Sequence, residues 1–177
     1  GCIVDEPTVS LDYPMAFFID IFSTNSFNSY GHLLKDYGHL MTDYARETLE
    51  HGSQVTGSTY ADAILSVQIM QAKVDSLMAS YDLLLTPTMA VPAFPVEQFP
   101  AVIGGRDVLP RWDYTPFTPV FNLTGHPAAS IPCGFSTGGM PIGLHMIGRH
   151  GDEPSILRAS AAFEEAKPWA QLRPKVS

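Results

Sequence analysis

The sequence is poor in cysteine and in basic residues, and both shortages narrow the class of protein. Two cysteines, Cys2 and Cys133, are too few for a disulfide framework. They indicate free thiols in a reducing compartment, so we predict a cytoplasmic location. Ten basic residues against 18 acidic ones give a net charge of −8, and the basic residues form no cluster. This balance argues against a nucleic-acid partner, because phosphate binding needs a clustered Lys/Arg surface.

Long apolar runs are also missing. A membrane-spanning helix needs about 18 or more consecutive apolar residues, and no such stretch occurs, so we predict no membrane partner. The apolar segment Met15–Phe22 is too short and contains Asp20. The sequence begins at Gly1 without a positively charged leader, which argues against a secretory signal and favours a processed or cut N-terminus.

The sequence also lacks the common catalytic motifs. It contains no G-x-S-x-G elbow, H-E-x-x-H pair, phosphate-binding loop, G-x-G-x-x-G turn or C-x-x-C pair. Ser53 follows a glycine but lies between two predicted helices, and Ser130 lies inside a predicted strand. The adjacent carboxylates Asp152-Glu153 and Glu164-Glu165 make poor acid–base pairs, because neighbouring residues on a helix do not face each other. We therefore predict no catalytic residue in this chain.

What the chain does contain is a large apolar fraction. Hydrophobic residues make up 45% and charged residues 16% of the 177 positions, which is typical of a globular protein with a substantial core. We interpret residues 1–177 as a single domain, in which 1–80 are mainly helical and 81–177 supply strands, a proline-rich loop and a terminal helix. Helices joined to short apolar runs predict an α/β fold with a mixed β-sheet flanked by helices.

Hydrophobic periodicity places the individual elements. Three helices are predicted, Ser29–His51 with Gly52 as its stop, Thr59–Tyr81, and Asp152–Ala166 with Asp152 as N-cap. Three strands are predicted, namely Leu83–Thr86, Ala128–Ile131 and Ile142–Ile147. Ala16–Phe22 reads either as a buried strand or as a short buried helix, and Val120–Gly125 as one helical turn.

The segment between the first two predicted strands is rich in proline. Seven prolines fall between Pro87 and Pro119, which excludes a regular helix or central strand there. Long ordered loops in compact domains are often functional. This loop carries Trp112, Tyr114 and Phe117, which either line a pocket or simply cover the sheet.

The histidines and Lys73 each have a plain structural interpretation. His32 and His39 are seven residues apart, whereas helical metal pairs are usually four apart, so we predict no metal site. His126 and His145 flank or occupy strands and are interpreted as structural. Lys73 is interpreted as a solvated lysine on a helix face, although a buried lysine can act as a general base.

Four ordered segments resemble the C-terminal region of the amidase signature family of serine hydrolases. They are Tyr81–Phe94 (YDLLLTPTMAVPAF), Tyr114–Gly134 (YTPFTPVFNLTGHPAASIPCG), Gly138–Glu153 (GGMPIGLHMIGRHGDE) and Ile156–Ala170 (ILRASAAFEEAKPWA). The resemblance is strong from Tyr81 to Arg173 and weaker upstream. It implies that the chain forms part of the family's α/β/α sandwich.

The resemblance also implies where the chemistry lies. Family members use a serine, a second serine joined through a cis peptide bond, and a lysine, all in the N-terminal half, and none of these maps onto this chain. No metal or organic cofactor is implied. The downstream half supplies part of the substrate pocket, and the matching wall here would be Trp112, Phe117, Phe121 and Asn122. Asn122 could instead cap its own turn.

Three functions remain open at this point. The first is the C-terminal part of an amidase that hydrolyses a carboxylic amide to an acid and ammonia or an amine, with the missing N-terminal half as partner and a small-molecule amide as substrate. The second is a non-enzymatic module or pseudo-enzyme for binding or assembly, with a homodimer as one expected form. The third is independent hydrolysis through Ser53 or Ser130. The residues do not identify the amide, and glutaminyl-tRNA is less expected.

Overall fold

The computed structural model describes residues 1–108 and 112–173. Helices dominate the first part of the chain, and strands with two further helices make up the second. The helices are α1 (Met15–Tyr30), α2 (Leu34–Tyr37), α3 (Asp43–Gln54), α4 (Gly57–Met78), α5 (Thr118–Thr124) and α6 (Glu153–Ala166). The strands are β1 (Leu83–Pro87), β2 (Val102–Ile103), β3 (Arg106–Asp107), β4 (Ala128–Phe135) and β5 (Pro141–Gly148).

The predicted helix Ser29–His51 is interrupted. Two short 3₁₀ turns, Gly31–Leu33 and Gly38–Leu40, flank α2, and the chain is extended at Met41 and Thr42 before α3 begins. Both 3₁₀ turns begin at a glycine, the residue that costs most to hold in a regular helix after proline. The segment is therefore mostly helical, as its apolar pattern predicts, but it forms several short helical elements instead of one continuous helix.

Helices α3 and α4 begin at threonine caps. The Thr42 hydroxyl accepts a hydrogen bond from Ala45 N at 3.3 Å, and the Thr56 hydroxyl accepts one from Thr59 N at 3.1 Å. Each bond satisfies a backbone donor that has no partner within its helix. The predicted start of this helix at Thr59 is two residues late, because Thr56 is the N-cap and α4 begins at Gly57.

The main sheet has three strands in the order β1-β5-β4. Both pairings are antiparallel: Leu83 pairs with Gly148 across β1 and β5, and Ala128 pairs with Ile147 across β4 and β5. All three predicted strands form. A mixed sheet was predicted, which would contain both parallel and antiparallel pairs. Among the described residues these three strands form antiparallel pairs only. A second two-stranded hairpin, β2–β3, lies in the proline-rich segment and was not predicted.

Helices cover both faces of the central strand β5. Ile147 faces one way and joins a core cluster with α4 and α5, in which Val74 and Ile147 are fully buried. Met146 faces the other way and packs with Ile131 and with Ile156 of α6. Successive strand side chains alternate between faces, so β5 holds both cores together. The predicted α/β fold with helices flanking a sheet is confirmed.

Among the described residues 1–108 and 112–173, we find no helix with the length and apolarity needed to cross a bilayer.

The ambiguous segment Ala16–Phe22 lies inside α1, so its helical interpretation is confirmed. α1 packs against α3 and α4 and thereby holds the helical half of the chain together.

Candidate functional site

The structure disperses the four predicted pocket residues over two regions. Trp112 lies against α1, with its ring centroid 5.4 Å from that of Phe18 and 5.9 Å from that of Phe22. Phe117 immediately precedes α5 and is half-buried. Asn122 is exposed on α5. A substrate role for these residues stays a prediction.

Phe121 lies in the core instead of on an open wall. Its ring is only 4% exposed and packs edge-on against two histidine rings, at 6.4 Å from His126 and 5.5 Å from His145. It therefore fixes both imidazoles between α5 and the sheet. The position of His145 agrees with the structural role predicted for it. Its side chain is buried, which lowers its pKa, and the Thr86 hydroxyl lies 3.2 Å from its Nδ1.

An apolar cavity lies along one side of α1, and we call it the α1 groove. Its volume is about 370 Å³, which lies within the usual range for small-molecule pockets. The lining residues are Phe18, Ile21, Phe22, Asn25, Ser26, Ser29, Tyr30 and Leu123. Trp112 contacts two of these rings, those of Phe18 and Phe22, so one of the predicted pocket residues borders the groove. Sequence reasoning missed α1 itself, because the weak periodicity of that segment left its structure open.

Two hydroxyl groups meet above β5, on the face of the sheet that α5 partly covers. Thr88 Oγ1 and Ser130 Oγ meet at 2.7 Å, over the backbone of Gly143. A Cβ at Gly143 would lie 2.6 Å from both oxygens, so glycine is what lets the two hydroxyls meet across the central strand. Ser130 is exposed. Its hydroxyl is engaged with another hydroxyl and not with the base that a nucleophile requires.

Lys73 and Ser53 also occupy plain structural positions. Lys73 Nζ pairs with Asp12 Oδ2, and the two side chains are 45% and 69% exposed. The interpretation of Lys73 as a solvated lysine is confirmed. Ser53 donates its hydroxyl hydrogen bond to the carbonyl oxygen of Glu50 at 2.7 Å, as a helix-face serine commonly does.

A second cluster joins three elements that are distant in sequence. Asp75 lies near the end of α4, His126 lies between α5 and β4, and His150 follows β5. Asp75 Oδ1 is 3.2 Å from His126 Nε2 and 3.8 Å from His150 Nε2. Burial, and then the neighbouring His150, lower the pKa of His126, so its imidazole is neutral at physiological pH. Sequence spacing could not reveal this cluster, because its members are separated by 51 and 24 positions.

Comparison with known proteins links this architecture to one family. The Amidase family model matches residues 17–157. An acylamidase of Rhodococcus erythropolis is 38% identical over 103 residues, which are 56% of this chain and 21% of that protein. A glutamyl-tRNA(Gln) amidotransferase subunit from Oceanobacillus iheyensis is 38% identical over 105 residues, covering 58% of this chain and 20% of that one.

Solved structures show the same fold. A bacterial aryl acylamidase of the amidase signature family superposes with a TM-score of 0.79 at 24% identity, covering 94% of this chain and 37% of that one. The aligned part of the chain thus covers about a fifth of the length of these two curated relatives, and the chain covers over a third of this solved structure. Since the family model covers most of the sequence and the fold agrees, the chain belongs to the amidase signature family.

Proposed function

We propose that residues 1–177 are the C-terminal portion of an amidase that hydrolyses a carboxylic amide to an acid and ammonia or an amine. The observation that carries this proposal is the Amidase match across residues 17–157, together with alignments that cover only about a fifth of the curated relatives' length. The missing N-terminal region is its required partner. In this proposal residues 1–177 are a single domain that forms the C-terminal portion of the enzyme.

The chemistry is divided accordingly. A serine hydroxyl becomes an effective nucleophile only when a base removes its proton, and a desolvated lysine can be such a base. Lys73 is exposed and paired with a carboxylate, so it is not desolvated. The serine pair and the catalytic lysine are therefore assigned to the N-terminal region, and backbone N–H groups there would hold the developing oxyanion. Residues 1–177 supply the sheet, its helical layers and part of the substrate wall.

Open surface on this chain supports the idea of a missing covering region. Leu85 on the edge strand β1 is 47% exposed, and Ile142 on β5 is 38% exposed. Ser130, whose hydroxyl meets that of Thr88, is likewise exposed. Exposed apolar side chains and unpaired strand edges favour association with further protein. We assign this surface to the N-terminal region of the same enzyme.

The α1 groove suits an apolar or aryl part of the substrate. Three of its eight lining residues are aromatic, and their rings offer large apolar area with a defined shape. Trp112 fixes two of these rings by edge-to-face contacts. We therefore retain Trp112, Phe117 and Asn122 as substrate-wall residues, with Trp112 in contact with the groove's rings. Phe121 is buried in the core and is not retained as a wall residue. The names of the acylamidase and aryl acylamidase relatives agree with an acyl or aryl amide.

Trp112→Ala tests this wall. In the complete gene product, losing the indole removes the support for Phe18 and Phe22, so KM for an aryl amide should rise about tenfold. The measurement is steady-state hydrolysis of a chromogenic anilide. The matched control is Trp169→Ala, since Trp169 packs on Phe163 beside α6, on the opposite side of the sheet. Equal changes in KM for the two variants would contradict the assignment.

The reaction itself is tested by comparing two proteins on the same amide. The complete gene product should release acid and amine, whereas purified residues 1–177 should show no turnover above the uncatalysed rate. If the complete gene product shows no turnover on a panel of acyl and aryl amides, the non-enzymatic binding module takes the place of this proposal. The exposed apolar residues named above are the observation that favours that alternative.

A further inference from the structure

The cluster of Asp75, His126 and His150 has the composition and spacing of a metal site. One donor atom from each residue lies within 4.8 Å of the other two. A tetrahedral zinc ion bound at about 2.0–2.1 Å places its ligand atoms about 3.3 Å apart. The separations of 3.2 Å and 3.8 Å from Asp75 Oδ1 to the two Nε2 atoms bracket that value. The donor atoms of the two histidines lie within 4.8 Å of each other, so the exposed His150 side chain would have to rotate to close this third separation.

The buried member of the cluster, His126, has a ring nitrogen that lacks a hydrogen bond within the part of the chain that the structure describes. His126 has a fully buried side chain, and its Nε2 atom has no hydrogen-bond partner among the described residues, although Asp75 lies within ion-pair distance. A buried polar nitrogen without a partner is costly, which calls for an explanation at this position. The other ring nitrogen, Nδ1, lies 2.9 Å from the Thr124 hydroxyl. Metal-ligating histidines show this arrangement, in which the second nitrogen is held by a hydrogen bond and the first faces the metal.

A fourth donor lies one turn earlier on the same helix. Gln71 precedes Asp75 by four residues, so both side chains lie on the same face of α4. The Gln71 amide group lies 3.4 Å from His150 Nε2. An amide oxygen can occupy this place after rotation of the terminal group, since the two ends of an amide are equal in size.

We propose that Asp75, His126 and His150 bind a divalent borderline transition-metal ion of the zinc type, with the Gln71 amide oxygen or a water as fourth ligand. Two imidazoles and a carboxylate match the donors that zinc and cobalt(II) accept. The ion links the C-terminal part of α4 to the segments at one end of β4 and β5. Its role is structural, because it cross-links the helical layer to the sheet.

Metal titration of the complete gene product, stripped with a chelator, tests the proposal. Zinc binding is followed by calorimetry and cobalt(II) binding by visible absorption, which intensifies in a tetrahedral site. We expect one ion at this site, and His150→Ala and Asp75→Asn each to weaken its binding at least tenfold and to abolish the tetrahedral cobalt spectrum. Both side chains are at least 41% exposed, so these changes leave the core intact.

The chain offers a matched control. His51 Nε2 lies 2.9 Å from Asp20 Oδ1, so this pair resembles the cluster but belongs to no group of three donors in the part of the chain described. His51→Ala should leave cobalt binding and its spectrum unchanged. The proposal is overturned if the wild-type protein takes up no stoichiometric ion, if both cluster variants bind as tightly as wild type, or if His51→Ala weakens binding as much as they do.

Discussion

Replacing Gly52 with alanine is expected to lower the free energy of unfolding by about 3 kcal/mol or more. Gly52 is buried where α3 packs on α1. A Cβ at this position would overlap the carbonyl oxygen of Ser23 and lie 2.9 Å from the Cβ of Phe27. Main-chain atoms cannot rotate away as a side-chain tip can, so the two helices would have to separate. The measurement is equilibrium denaturation of the complete gene product.

Gly57→Ala is the matched control. Gly57 is also helical, but a Cβ there meets no atom within 4 Å. Alanine stabilises a helix relative to glycine by up to about 1 kcal/mol, so this variant should be neutral or slightly more stable. If Gly52→Ala were as stable as Gly57→Ala, the close approach of α1 and α3 would be contradicted.

Replacing Ile147 with alanine should cost about 2–5 kcal/mol of stability. Ile147 lies on the central strand β5 and is fully buried between Val74 and Met78 of α4 and Phe121 of α5. Truncation removes apolar contacts from both helices at once and leaves a cavity, which the surrounding strands restrain from collapsing. Thermal or urea denaturation would measure the loss.

Ile142 provides the control on the same strand. It is 38% exposed, so Ile142→Ala removes far less buried area and should cost less than about 1 kcal/mol in residues 1–177. The comparison is made with that chain alone if it denatures reversibly, and otherwise in the complete gene product. Similar losses for the two variants would contradict the assignment of Ile147 to the joint between sheet and helical layer.

The strands were predicted well because their signals are local. The run Leu83–Thr86 has no alternation and stops at a proline, and β1 spans Leu83–Pro87. Prolines and glycines bound the other two runs, and both strands form, although β4 extends beyond the predicted end to Phe135. That extension crosses a bulge between Pro132 and Gly134, where the pairing register shifts. A bulge depends on the partner strand and cannot be found from one strand's residues.

Helix ends and helix contacts were predicted less well. Gly52 was interpreted as a stop because glycine commonly follows a helix, but α3 continues to Gln54 and uses Gly52 for packing. Glycine can either end a helix or allow another helix to approach closely. Only the position of α1 shows that Gly52 does the second. The break between Gly31 and Thr42 has the same origin, since tertiary contacts decide which of several weak local preferences prevails.

The candidate sites were the least accessible to sequence reasoning. Phe121 was predicted to line a pocket, yet its ring lies between two histidines and α5, and no local pattern separates the two positions. The cluster of Asp75, His126 and His150 depends on the way that α4 crosses one end of the sheet. Resemblance to the family identified the fold, but it did not indicate these contacts.

Covalent labelling with a fluorophosphonate probe, followed by peptide mapping, tests the central claim most directly. Applied to the complete gene product, the probe should modify one serine that lies outside residues 1–177, and residues 1–177 alone should stay unlabelled. An adduct on Ser53, Ser130 or any other side chain of this chain would contradict the account.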